Sequence, residues 1–395
     1  MHASMAVILF LMNWLGAALA PLSAPVEVQD VAAFYTYGEN VTFQARVTPA
    51  DEITQAFLMI QPEGQSTRIE ELTWNSAGEI LYPYDTALHP LRPFGRTYYW
   101  FRLVTPTGEI TTPSYWFDYI DNRFTWQSLS NDYFEVHWQT GDLSFGQTVL
   151  NTAQSALEAV QKILPVAPKL PLKIYVYADA NDLQAALPDE SESWVAGHAS
   201  PDLGVVLVSI PSGPDQSLEL ERQLPHELMH IMEYTLVGDQ YGNTPVWLTE
   251  GIASIAELYP NADYARVLDT AMGKNELLSF QNLCSAFPRD ASSAFLAYAQ
   301  STSFVRYIYQ TFGSTGLSNL MREYQIGMGC EEGVQASLGK SITGLENDWR
   351  QASFSISPID QAFKTLSPYL LIALLVVAAP LLVVLARPRH LEKPL

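Results

Sequence analysis

The sequence predicts an α+β protein in three parts: an all-β domain, a mixed domain that turns helical, and one apolar helix near the C-terminus. Three observations predict it. Val26 to Asp121 is rich in Thr, Tyr, Phe and Val and is cut by turn residues at short intervals. From Asn122 strand patterns alternate with an amphipathic helix, and beyond Gln216 nearly everything has helical period. Tyr369 to Ala386 is apolar throughout. The 395 residues are 48% hydrophobic, enough for two separate cores.

Residues 1–24 read as a secretory signal peptide. The run Ala6 to Ala20 is broken only by Asn13, ends in Ala18-Leu19-Ala20, and is followed by Pro21 to Pro25. No Lys or Arg precedes the run, so an uncleaved N-terminal anchor is the other reading. Residues 25–121 form the β domain. Asn40 to Pro49, Arg96 to Pro106 and Pro113 to Ile120 read as strands between turns, and a sandwich of immunoglobulin or fibronectin type is the expected fold. His89 stands alone there, and no catalytic cluster accompanies it.

Residues 122–357 form the second domain. Tyr133 to Trp138, Leu172 to Ala178 and Leu203 to Ile210 are expected strands, and Phe145 to Leu164 is an expected amphipathic helix. Strands first and helices after give the α+β class. Residues 358–368 link this domain to the apolar run at 369–386, which as a helix spans roughly 27 Å, the thickness of a bilayer core. Arg387, Arg389 and Lys393 follow in the tail, residues 387–395. By the positive-inside rule the expectation is a single-pass protein of the cell membrane, with its body extracytoplasmic and its C-terminus cytoplasmic.

A formal net charge of -21 excludes nucleic acid as a natural partner. Two cysteines, Cys284 and Cys330, are too few for a disulfide scaffold or a structural zinc cluster. Outside the cytoplasm they are expected to form one bridge.

The chemistry sits at His226-Glu227-Leu228-Met229-His230. Two histidines at i and i+4 lie one turn apart on one helix face, so both imidazoles can reach a single ion. A catalytic zinc needs three protein ligands and an open position for water, whose pKa it lowers to roughly 7. Glu227, beside the first histidine, is placed to take that water's proton. The third ligand is expected at Glu250, in Pro245-Val246-Trp247-Leu248-Thr249-Glu250-Gly251. Thr244 and Pro245 are good N-cap and first-turn residues, and Gly238 is a natural stop for the preceding helix. Two helices joined by a short loop pack antiparallel, which brings Glu250 opposite the histidines.

This pair of segments resembles the gluzincin zinc metallopeptidases, in particular the gluzincin aminopeptidases and the peptidase MA-like family. The resemblance covers about Tyr133 to Ser353. It implies a thermolysin-like gluzincin catalytic domain, one Zn2+ ion on His226, His230 and Glu250, Glu227 as the base, and a peptide or protein as substrate. It also implies a role for Tyr298, in a segment similar to the one that carries the family's transition-state tyrosine. A phenol there can donate to the developing oxyanion.

The sequence departs from the family in two places. The gap between His230 and Glu250 is one residue longer than the commonest gluzincin spacing. The aminopeptidases carry an amine-binding Glu on the strand before the HExxH helix, and Gly197 to Gly204 here contains none. The expected activity is therefore that of an endopeptidase, with Gly204 to Ile210 as the sheet edge that pairs with substrate. His198 is a candidate fourth polar group near the metal, with a structural or solvated role as the favoured reading. Two alternatives stand beside this reading: an inactive zinc-containing binding or sensor module, and a metallohydrolase of a non-peptide bond.

Overall fold

The computed structural model describes residues 26–187 and 197–354, together with 366, 367 and 369. They divide into two compact units, parted between Phe124 and Thr125.

The first unit is built of eight strands: β1 (Glu27–Thr36), β2 (Asn40–Thr48), β3 (Gln55–Pro62), β4 (Arg68–Leu72), β5 (Glu79–Asp85), β6 (Arg96–Thr105), β7 (Gly108–Thr111) and β8 (Tyr115–Asp118). One sheet has the order β1-β2-β5 and the other β4-β3-β6-β7, with β8 also paired to β6. Strict alternation of buried with half-buried or exposed residues along β2 and β6 gives each sheet one apolar face. The faces meet, with Phe43 on β2 lying 5.0 Å from Tyr99 on β6, ring to ring.

The second unit opens with β9 (Gln127–Ser130), β10 (Phe134–Trp138), α1 (Leu143–Ile163), β11 (Leu172–Tyr177), α2 (Ala180–Gln184), β12 (Gly197–Ser200) and β13 (Val205–Ser209). The helices α3 (Gln216–Val237), α4 (Val246–Ala256), α5 (Asp263–Lys274), α6 (Ala291–Gln325), α7 (Cys330–Leu338) and α8 (Ile342–Phe354) follow. The sheet order is β12-β13-β11-β10-β9, parallel at β10–β11 and β11–β13 and antiparallel at its two ends. One continuous core runs from Trp138 and Val149 through Met229 and Trp247 to Phe304 and Trp349. Cys284 and Cys330 are bonded to each other across a separation of 46 residues. Closing a loop of that length removes about 4 kcal/mol of unfolded-state entropy.

Two expectations are corrected. An all-β region followed by a largely helical one fits the expected class in part, but the C-terminal membrane helix does not stand. Among the described residues no helix is long and apolar enough to cross a membrane. The longest, α6, carries Arg306, Arg322 and Glu323 and is broken at Gly313, whose φ is 69°. Of the run 369–386 only Tyr369 is described; the rest, like the expected signal peptide at 1–24, lies outside the described residues. The second correction concerns the sheet edge. β13 is interior, flanked by β12 and β11, and all five of its residues are buried. A continuous apolar run is the mark of such a strand. Among the described residues the strand at this end of the sheet is β12, which packs against α3.

Candidate active site

The HExxH segment lies deep inside α3, ten residues past its start, and Pro225 sits in the helix interior. Proline has no N–H, so the carbonyl of Glu221, four residues back, is released from the helical ladder. That carbonyl accepts instead from the backbone N–H of Leu258 at 3.0 Å and of Tyr259 at 3.4 Å. Pro225 thus ties α3 to the chain just beyond α4.

The helix ends at Gly238, in a positive-φ conformation (φ 64°) that suits glycine. A 3-10 turn, Gly238–Asn243, then leads into α4, which starts one residue later than the sequence suggested. Its first turn is fixed by bonds from Val246 N–H to the Cys284 carbonyl (3.0 Å) and from Trp247 N–H to the Leu283 carbonyl (3.1 Å). The disulfide lies beneath this turn, and the Trp247 indole donates to Cys330 Sγ at 3.5 Å. Gly251, next to Glu250, lets α4 press against α6. A Cβ there would come within 2.4 Å of Val305 Cγ2 and 2.8 Å of the Ser301 carbonyl oxygen.

These constraints bring Glu250 to the two histidines. Its Oε2 lies 3.3 Å from His226 Nε2, and its Oε1 lies 4.0 Å from His230 Nε2. One donor atom from each of the three residues falls within 4.8 Å of the others, so the group could hold a metal ion. The outer nitrogen of each ring also meets a carboxylate: His226 Nδ1 lies 3.3 Å from Glu257, and His230 Nδ1 lies 2.9 Å from Glu233. When the outer nitrogens hold the protons, both Nε2 lone pairs are left to face Glu250.

The electrostatics also favour a cation. Burial acts most strongly on His226 and works to lower its pKa, yet Glu250 and Glu257 outweigh it and push the imidazole well above its usual value. Burial likewise opposes protonation of His230, and Glu233 with Glu250 raises it to about 9. Burial is the main influence on Glu250 too, but His226 and His230 overcome it and hold this carboxyl below the ordinary range. Two imidazoles and a carboxylate are the donor set of a catalytic zinc with an open side, so the residues present fit the ion.

The group opens into a cavity of about 530 Å³ whose lining includes Gly197, His198, Glu227, Tyr264 and Tyr298. Glu227 is 8% exposed, and burial pushes its carboxyl up against the opposing pull of the two histidines. Gly197 on β12 closes over it. A Cβ on Gly197 would lie 2.5 Å from Glu227 Oε1 and 2.9 Å from its Cδ. Gly197→Ala is therefore expected to displace the Glu227 carboxyl and, if that group serves the reaction, lower turnover on the order of 100-fold while metal content is unchanged. Parental turnover in that variant would show that the contact relaxes freely.

Tyr298 on α6 stands with its ring 6.4 Å from His226, and its phenol helps to hold the Glu250 carboxyl below its usual range. Burial, then the charges of Glu250 and Glu227, raise its phenol well above the usual value, so it stays a donor. His198 lines the cavity from β12, opposite Leu207 in the ladder, and lies outside the metal group.

The structure thus brings together all five residues that the sequence singled out. Gly197, Glu233 and Tyr241 had no part in the expected site, and Glu257 entered it only as a carboxylate that could bind a substrate's amine, whereas it lies against His226 Nδ1. Glu233 and Glu257 carried a usable signal, being three residues past His230 and seven past Glu250 on the same helix faces. Gly197 and Tyr241 carried none, because their places depend on strand pairing and on the path of a turn.

No curated protein matches the sequence. Among solved structures, an aminopeptidase N family protein from Idiomarina loihiensis aligns over 82% of this chain and 73% of its own, at 9% identity and a TM-score of 0.39. A carbohydrate-binding module family 56 β-1,3-glucan binding domain aligns over 23% of this chain and 98% of its own, at 14% identity and a TM-score of 0.18. Likenesses this distant carry no argument about function. The sequence itself does: residues 152–355, just over half of the chain and including His226, Glu227, His230, Glu250 and Tyr298, match the family model of the Peptidase MA superfamily, and the chain belongs to that superfamily of peptidases.

Proposed function

We propose that this chain is a zinc-dependent endopeptidase of gluzincin type that works outside the cytoplasm. The observation that carries the reading is the convergence of His226, His230 and Glu250 on one point of a cavity that Glu227 also lines. The bridge between Cys284 and Cys330 supports the compartment, since such bonds persist where the surroundings are oxidising.

His226, His230 and Glu250 would hold the zinc ion, which when bound would supply Lewis-acid chemistry at the cleaved bond. The protein supplies the rest. Glu227 accepts the proton of the attacking water and delivers it to the leaving nitrogen, a double task suited to a buried carboxyl with a raised pKa. The Tyr298 phenol donates to the oxygen on which negative charge develops. β12, as the sheet edge beside α3, offers backbone groups to an extended substrate.

Specificity for an internal bond follows from what β12 lacks. Its residues are Gly197, His198, Ala199 and Ser200, and no carboxylate among them can pair with a free amine. A substrate held by backbone pairing is indifferent to its own terminus. One peptide offered with free and with acetylated N-terminus is expected to be cut internally at similar rates. Removal of single residues from the free form only would show that the amine is being read, and would end the endopeptidase reading.

A further inference from the structure

Glu233 has no place in the chemistry above, yet it is fully buried, at 0% exposure. A carboxylate withdrawn from water costs several kcal/mol unless a charge or a set of hydrogen bonds compensates it. Among the described residues no Lys or Arg lies in ion-pair range of it; its ion pair is with His230, at 2.9 Å. Its Oε2 also accepts from the Tyr241 hydroxyl at 3.0 Å, and that hydroxyl lies 3.0 Å from His230 Nδ1. The three groups close a triangle behind the ring. The other oxygen of Glu233 is buried with no hydrogen-bond partner among the described residues. The polar contacts of this carboxylate are therefore with His230 Nδ1 and with the Tyr241 hydroxyl, which faces the same nitrogen.

Its neighbours show how the triangle is assembled. Glu233 follows His230 by one helical turn on α3, so the helix itself sets that distance. Tyr241 comes from the 3-10 turn between α3 and α4, so its hydroxyl fastens this turn to the back of His230. The stretch between His230 and Glu250, one residue longer than the commonest gluzincin spacing, thus returns to the site. The other histidine is served from a different element, since Glu257 reaches His226 Nδ1 from the end of α4.

We infer that Glu233 and Tyr241 are a positioning pair for His230, holding its Nδ1–H so that Nε2 stays turned toward Glu250 and the metal. The inference rests on the zinc-site reading. Neither residue touches substrate; both act through His230. With the pair intact the ring has one orientation and one tautomer. With it broken, the ring loses the partner that fixes both.

The test is zinc affinity of the full chain, measured by competition with a chromophoric chelator, together with the visible spectrum of the cobalt-substituted protein. Glu233→Gln keeps the shape and removes the charge, and is expected to weaken zinc binding roughly 10- to 100-fold. Its cobalt bands are expected to move, which a merely structural role would not produce. Tyr241→Phe removes one hydroxyl, and is expected to give a smaller loss and a smaller band shift in the same direction. Because the two act on one nitrogen, the double variant should lose less than the product of the single losses. A folded Glu233→Gln chain with parental affinity and parental bands overturns the inference. If Glu233→Gln does not fold, parental behaviour of Tyr241→Phe overturns it in the same way. His230→Ala separates this from the reading beneath it. If His230→Ala keeps parental affinity, the zinc site itself is misassigned; if His230→Ala loses zinc while Glu233→Gln does not, only the positioning pair fails.

Discussion

Glu227→Gln is expected to keep its zinc and to lose peptide hydrolysis by roughly two to four orders of magnitude, the range that a positioned general base contributes. The substitution is close to isosteric, which matters here because Gly197 leaves the side chain little room. An amide in that place cannot take the water's proton or return it to the leaving nitrogen. Glu227 is also not one of the three converging ligands, so metal content should match the parent. The pair of measurements is turnover of an internally quenched peptide and zinc per chain. Near-parental turnover would remove Glu227 from the mechanism, and loss of zinc would make it a ligand instead.

The three ligand substitutions are expected to behave in the opposite way. His226→Ala, His230→Ala and Glu250→Ala should each lose zinc by more than the roughly 100-fold at the upper end of removing an outer hydrogen-bond partner. Hydrolysis should fall with the metal. A second readout is thermal. A ligand that binds only the folded chain stabilises it by about 2.7 kcal/mol at 100 times its Kd. The parent should therefore melt higher as zinc is added, and the three variants should not. Glu250→Ala is the most informative, because α4 reaches the histidines only through the fold. A zinc-dependent rise in melting temperature in Glu250→Ala equal to that of the parent would show that Glu250 is not the third ligand.

Much of the site was legible because its signals are local. HELMH states its own geometry through i, i+4 spacing. Glu250 is announced by a proline, a helix start and a carboxylate set among Trp247, Leu248 and Ile252. Tyr298 needed the resemblance to the gluzincins, since a helical tyrosine on an apolar face has no distinguishing pattern. The strands at Asn40–Thr48, Arg96–Thr105 and Leu172–Tyr177 were readable from alternation or from β-branched and aromatic content.

What was not legible depends on contacts between distant segments. Gly197 to Ser200 is too short and too mixed to read as a strand, and becomes one only by pairing with β13. The edge was therefore assigned one strand too far along. Pro225 sits inside α3, which begins at Gln216, and the freed Glu221 carbonyl is satisfied from beyond α4, a contact that no local pattern announces. Tyr241 reaches His230 by way of a 3-10 turn that no periodicity announces. At the C-terminal end a strong local signal, the run 369–386, led to a membrane helix that no described residue supports.

Under the proposed function, peptide hydrolysis by this chain depends on one zinc ion held at His226, His230 and Glu250. The most direct measurement strips the purified parent chain with a chelator, counts the metal that remains, and follows cleavage of an N-acetylated peptide as zinc is returned. The stripped protein is expected to show no cleavage, recovery is expected to saturate at one equivalent of zinc, and Glu250→Ala is expected not to recover under the same titration. Cleavage that persists undiminished after the metal is gone would contradict the proposed function.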